Sequence, residues 1–283
     1  MAVITLTTDF GLIDGYVGIM KGVIQGICPG AVVIDITHDI PPQDILSAAF
    51  MLHVSYPYFP KDTVHVAVVD PGVGTERRAV ALRTSNAFFV APDNGLLSFI
   101  IEDEKVEEVV NLNNPRYRLP KVSATFHGRD IFAPAGAYLA KGVPLKELGQ
   151  PIDVEDLITF PIPKAHREAD EITAQILHVD RFGNLTVNLP MERVREKGEE
   201  LVMIRLPDEA HPLRLHPQSL KIHIGGYEIS GVRRTYAEGN LGEPMTLIGS
   251  AGYLEVAIPG DSAAKRMKMK VGDEIKVRID RGC

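Results

Sequence analysis

Val64-His65-Val66-Ala67-Val68-Val69-Asp70-Pro71-Gly72-Val73-Gly74 decides the fold. The run from Val64 to Val69 is almost wholly apolar and rich in β-branched residues. A short apolar run bounded by turn residues reads as a strand buried on both faces. It stops at an aspartate followed by Pro-Gly, which is turn chemistry. The same grammar opens the chain, where Val3-Ile4-Thr5-Leu6 leads into Thr7-Thr8-Asp9-Phe10-Gly11. In an open parallel sheet, ligands bind beyond the carboxyl ends of the strands. Asp9 and Asp70 are therefore expected at a ligand-binding edge.

Outward from these two strands, helical and extended patterns alternate. A helix is expected over Tyr16–Ile27, stopped by Cys28-Pro29-Gly30, and a strand over 32–36, ending in Thr37-His38-Asp39. A helix over 44–54 follows Pro41-Pro42, with Ile45, Ala48, Ala49 and Leu52 on one face. Strands are expected at 79–82, 88–90 and 106–112, a short helix at 94–101, and a helix at 129–140 after a 125–128 loop. This βαβ rhythm predicts a layered α/β domain over residues 1–160. Prolines 151, 161 and 163 mark 151–168 as a linker region. Beyond it, short runs separated by Gly, Pro or Asp predict an all-β domain over 161–283, expected to be a small barrel.

Bulk properties exclude several classes. A formal net charge of -7 gives no support to nucleic-acid binding or to an anionic membrane surface. No apolar run approaches the roughly 20 residues of a membrane span. The two cysteines, Cys28 and Cys283, make neither a disulfide framework nor a metal cluster. With Met1 leading almost directly into strand residues and no leader pattern, the expectation is a cytoplasmic protein.

Several residues are candidates for chemistry. Asp9, with Asp14 five residues on, can accept hydrogen bonds from ribose hydroxyls; alternatively Asp9 caps the following helix. Arg77 lies seven residues past Asp70 and can fold back across the Gly72–Gly74 turn, either to serve a site or as a structural ion pair. His127, within Thr125-Phe126-His127-Gly128-Arg129-Asp130, is a residue type suited to general-base work at neutral pH; a lone histidine is also often structural. In the second half, Asp180, Phe182 and Asn184 can read or stack on a nucleoside, or form an ordinary Gly-Asn hairpin turn. Ser250 carries the same ambiguity.

Taken together, Thr8-Asp9-Phe10-Gly11…Asp14, Pro42-Gln43-Asp44, Asp70 to Thr75 with Arg77, Thr125 to Asp130, and Asp180 to Asn184 resemble the S-adenosylmethionine hydroxide adenosyltransferases, relatives of the fluorinases and chlorinases. The resemblance implies an α/β domain followed by a β-barrel domain. It implies a homotrimer with sites between subunits, and S-adenosylmethionine as substrate with no cofactor and no metal. By motif position it implies Asp70, Arg77 and His127 as the catalytic set. Asp9, Asp14, Thr125, Phe126, Gly128, Asp180, Phe182, Asn184 and Ser250 are then the substrate-binding residues. A carboxylate at 70 would repel a halide, whereas water needs acceptors to orient it and take its proton. Hydrolysis is thus expected. The alternatives are a halogenase, a non-catalytic adenosine or S-adenosylmethionine sensor, and a metal-dependent phosphohydrolase built on Asp9, Asp14 and Asp70.

Overall fold

A computed structural model describes residues 2–280; Met1 and Cys283, read above for a leader pattern and a disulfide, lie outside the described residues. The chain divides into two compact units, residues 1–162 and 163–283.

The first unit is a seven-stranded mixed sheet with helices on both faces. Its strands are β1 (Val3–Thr8), β2 (Val32–Thr37), β3 (Thr63–Val68), β4 (Ala79–Thr84), β5 (Ala87–Pro92), β6 (Val106–Asn111) and β7 (Gln150–Pro151), in the order β2-β1-β3-β5-β4-β6-β7. The four strands β2, β1, β3 and β5 run parallel. The remaining pairings are antiparallel. Every residue of β3 is buried, as the apolar run requires. Val64, Val66 and Val68 pack on one side in a core that includes Met20 and Ile24 of α1 (Tyr16–Ile27) and Ala133 and Ala137 of α4 (Ala133–Ala140). Ala67 and Val69 enter the opposite core with Ala48 and Leu52 of α2 (Ile45–Ser55) and Ile100 of α3 (Ser98–Asp103). Because β1, β2 and β3 are parallel neighbours, their carboxyl ends deliver Asp9, His38 and Asp70 to one edge.

Local expectations are refined at four points. The helix expected at 94–101 begins at Ser98. Asn94 instead builds a turn, its side chain donating to Val69 O at 2.9 Å and accepting from Leu96 N at 3.2 Å. The helix expected at 129–140 is α-helical only from Ala133; Gly128–Phe132 forms a wider π turn, closed by Ala133 N donating to Gly128 O. The 151–168 segment contains the division between the two units at 162/163, and its flanks are anchored. Ile158 N and Phe160 N donate to Asp93 Oδ1 and Ser98 Oγ, and β8 (His166–Glu168) pairs with β9 (Glu171–Val179). Prolines and weak periodicity hid these anchors. Helix α2 starts one residue late because Asp44 is its cap, accepting from Ser47 N at 2.9 Å.

The second unit is all-β apart from the short α5 (Ala263–Met267). Its further strands are β10 (Leu185–Glu196), β11 (Glu199–Ile204), β12 (Leu213–Leu215), β13 (Leu220–Ile224), β14 (Tyr227–Ser230), β15 (Met245–Ile248), β16 (Tyr253–Ala257) and β17 (Glu274–Ile279). They pair as β12-β11-β10-β9-β17-β13-β14, with β16 joining β10 and β15, and β8 joining β9. Among the described residues these pairings connect a ten-stranded sheet, and an isolated bridge between Arg233 and Leu247 joins the segment after β14 to β15. Among the described residues no helix is long and apolar enough to cross a membrane.

Candidate active site

Three loops meet at the carboxyl edge of the first sheet. Asp9, Phe10, Tyr16, Gln43, Val68, Asp70, Pro71, Val73, Thr125, Phe126, His127 and Gly128 line a cavity of about 390 Å³. Phe10, Tyr16 and Phe126 form an aromatic wall, with ring centroids 5.0 to 5.9 Å apart.

The Asp70 turn is built so that Arg77 returns over it. Val73 N donates to Asp70 O and Thr75 N to Gly72 O, both at 3.1 Å. A Cβ on Gly72 would lie 3.3 Å from Arg77 Cγ, so the glycine leaves room for the returning side chain. Gly74 has φ +80°, and a Cβ there would sit 2.3 Å from Ala124 O. This turn therefore packs directly on the backbone that leads into Thr125 and His127.

The result is a bidentate pair with a third partner. Arg77 Nε donates to Asp70 Oδ1 at 2.8 Å, and Arg77 Nη2 donates to Asp70 Oδ2. The same Nη2 lies 2.7 Å from His127 Nδ1. Both side chains of the ion pair are buried, 9% and 5% exposed. An arginine nitrogen only donates. His127 Nδ1 is therefore the acceptor, and the neutral ring carries its hydrogen on Nε2. Burial first, then the charge of Arg77, holds the His127 pKa below its ordinary 6.5, opposed by Asp70 and helped by Arg118. Arg118 is fixed behind the set by Leu112 O, which its Nε reaches at 2.8 Å.

Asp9 does not cap α1. Its Oδ2 accepts from Gln43 N at 2.9 Å, and the residue at the head of α1 is Gly15, without a side-chain cap. Gln43 adopts φ 66°, a left-handed backbone that turns its N–H toward Asp9. Asp14 is exposed and lies outside the cavity lining. Asp130, fully buried, pairs with Arg129 and accepts from Ser123 N at 2.8 Å, bracing the 123–128 loop.

In the second unit, Asp180 to Asn184 is the β9–β10 turn. Asn184 N and Nδ2 donate to the two Asp180 carboxylate oxygens at 2.8 and 2.9 Å, while Phe182 is 77% exposed. Ser250 is exposed in the turn between β15 and β16. Near it, Tyr236 Oη donates to the buried Glu255, whose pKa is raised by burial and by Asp180. Sequence reading missed Tyr16 as part of the wall and Arg118 behind the set. Phe10 and Tyr16 flanking an acidic turn were the available signal for the first; no sequence signal marked the second. Among the described residues no group of three or more His, Cys, Asp and Glu is arranged to hold a metal ion.

Comparison with known proteins gives one answer. Residues 4–149 match the model described as SAM hydroxide adenosyltransferase N-terminal domain, and residues 174–276 that of its C-terminal domain. The (R)-S-adenosyl-L-methionine hydrolase of Salinispora arenicola (strain CNS-205) is 38% identical over 275 residues, 97% of each chain. A fluorinase of Actinoplanes sp. (strain N902-109) is more distant, 25% identical and also covering 97% of each chain. The crystal structure of an uncharacterized conserved protein from Thermotoga maritima is 31% identical, with a TM-score of 0.83, covering 97% of this chain and 99% of that one. Matched by both domain models in their proper order, the chain belongs to the SAM hydroxide adenosyltransferase family.

Proposed function

We propose that this protein hydrolyses S-adenosyl-L-methionine to adenosine and L-methionine by in-line attack of water at the 5′ carbon. The carrying observation is the buried Asp70–Arg77 pair with the half-buried His127 at the cavity, in a chain 38% identical to a hydrolase of that substrate. The sulfonium leaves as a neutral thioether, so catalysis is mainly a matter of positioning the water. This chemistry calls on no metal or cofactor.

Each oxygen of Asp70 takes one hydrogen bond from Arg77. A carboxylate oxygen retains a further lone pair, which makes Asp70 the acceptor for the water proton. His127, with Nδ1 taken by Arg77, offers Nε2–H to the water oxygen and aims its remaining lone pair at carbon. The oxygen–C5′ bond forms as the C5′–sulfur bond breaks. The bonding pair stays on sulfur, and the proton passes through Asp70 to solvent. Asp9 accepts from the ribose through the capacity that Gln43 leaves unused. Thr125, Phe126 and Gly128 shape the cavity beside it.

A halide would face the same Asp70 carboxylate, which disfavours the halogenase alternative. In heavy-oxygen water, the label is expected at the adenosine 5′ hydroxyl by mass spectrometry, with methionine in equal amount. A 5′-halo nucleoside formed from chloride or fluoride faster than adenosine forms from water would refute the reading.

The proposal extends to a cytoplasmic homotrimer in which Asp180, Phe182, Asn184 and Ser250 of one chain complete the cavity of a neighbour. Its support is the family resemblance and the large apolar side chains left exposed on each unit, Leu12 and Ile13 on the first and Phe182 and Leu241 on the second. Curling of the second unit into a barrel belongs to the same proposal. Register shifts around Thr186 of β10 support it, because bulges bend a strand. Mixing inactive Asp70→Asn chains with inactive Asn184→Ala chains should restore activity, since mixed trimers hold some intact sites. A fully active monomer by light scattering would exclude shared sites.

A further inference from the structure

His38 directly follows β2 and takes no part in the chemistry above, yet its side chain is 2% exposed and spans two elements of the site. Its Nδ1 lies 2.8 Å from Thr8 Oγ1. Thr8 Oγ1 also accepts from Phe10 N at 3.2 Å. The His38 carbonyl accepts from Gly11 N at 2.8 Å. One residue thus grips both ends of Thr8-Asp9-Phe10-Gly11, the turn that carries Asp9 and the aromatic wall.

A hydroxyl has a single hydrogen and two acceptor lone pairs. Thr8 Oγ1 can therefore accept from Phe10 N and still donate its hydrogen to His38 Nδ1. With Nδ1 accepting, a ring hydrogen sits on Nε2, which lies 3.0 Å from Asp35 Oδ1 as an unaligned polar contact. Asp35 is itself held by Lys21 Nζ of α1 at 2.6 Å. The Nδ1 side is therefore the ordered half of the interaction, and it is the half that faces the site.

We infer that His38 and Thr8 are positioning residues for substrate binding: the Thr8 hydroxyl–His38 Nδ1 bond fixes the turn that aims the Asp9 carboxylate at the ribose. This rests on the reading that Asp9 holds the ribose. The role is one of aim rather than chemistry, so its signature is in KM and in recognition of the sugar hydroxyls. His38→Leu and Thr8→Val should each raise KM about tenfold, the effect of one misdirected hydrogen bond to a charged group, with kcat within about threefold of wild type. His38→Asn places an amide oxygen where Nδ1 stood and should keep KM close to wild type.

The deciding assay compares S-adenosyl-L-methionine with its 2′-deoxy analogue in wild type, Asp9→Ala, His38→Leu, Thr8→Val and His38→Asn. Support is a wild-type penalty for the missing hydroxyl that vanishes in Asp9→Ala, shrinks in His38→Leu and Thr8→Val, and survives in His38→Asn. If wild type shows no penalty, or Asp9→Ala retains it, the ribose reading fails and this inference falls with it. If the penalty depends on Asp9 but stays undiminished in His38→Leu and Thr8→Val, the inference alone is overturned. Thr8→Val, which only exchanges a hydroxyl for a methyl, decides the matter should the leucine variant not fold.

Discussion

Asp70→Asn lowers turnover by about two to four decades, while KM for S-adenosyl-L-methionine changes far less. The amide keeps the size of the side chain and removes the proton acceptor. It also breaks the bidentate match to Arg77, since an amide nitrogen cannot accept from the guanidinium. His127→Ala falls in the same range, because the water loses its orienting donor. The pH profile carries an independent signature. The His127 pKa lies below 6.5. Its neutral form, with Nδ1 free to accept from Arg77, therefore prevails at neutral pH and is lost as pH falls through that depressed value. The His127 contribution to the acid limb of kcat accordingly lies below the ordinary histidine range. Arg77→Gln removes a positive charge beside the ring and moves this contribution upward. Steady-state kinetics on the variants check both points. Wild-type turnover in Asp70→Asn and His127→Ala would remove both residues from the mechanism.

Gly74→Ala lowers turnover by about two decades, the cost of displacing a catalytic group by roughly an ångström. The added methyl meets Ala124 O at 2.3 Å, so the Asp70 turn and the loop bearing His127 must part. Backbone strain from a non-glycine residue at this positive φ adds about 1–3 kcal/mol of destabilisation. Gly142→Ala is the control. Gly142 has φ +93° with nothing within 4 Å of an added methyl and lies outside the cavity lining, so its substitution brings strain without the steric clash. Thermal unfolding should register both variants, and kcat only the first. A Gly74→Ala enzyme with wild-type kcat would show that the close approach of the two loops does not matter.

The parallel centre of the first sheet was legible because strands buried on both faces leave continuous apolar runs, as at β1 and β3. The approach of Arg77 to Asp70 was legible from seven residues of spacing and two glycines. Other features depend on contacts that no local pattern records. Asn94 delays α3 by bonding to Val69 O, twenty-five residues back. Gln43 meets Asp9 through its backbone, so its side-chain identity says nothing of the contact. The anchored segment after β7 looked like a linker because its partners, Asp93 and Ser98, lie far away in sequence. In the second unit β14 offers too little alternation to read, with only Ile229 of its four residues buried.

The wide turn over Gly128–Phe132 lets the helix hold one residue more than its packing requires. A π turn accommodates one residue more than an α turn. Deleting a single residue between 128 and 132 would let the segment run on as ordinary helix into Ala133–Ala140, whose packing against the sheet need not change. Because the wide turn takes up the extra residue within a single turn, the segment before the deletion would keep its phase about the helix axis. His127 stands at that threshold, so its ring would keep its bearing on Arg77 while the residues displayed by the turn changed. The length of this segment is thus a freedom of the fold, and the aim of the histidine survives a change of one residue beside it.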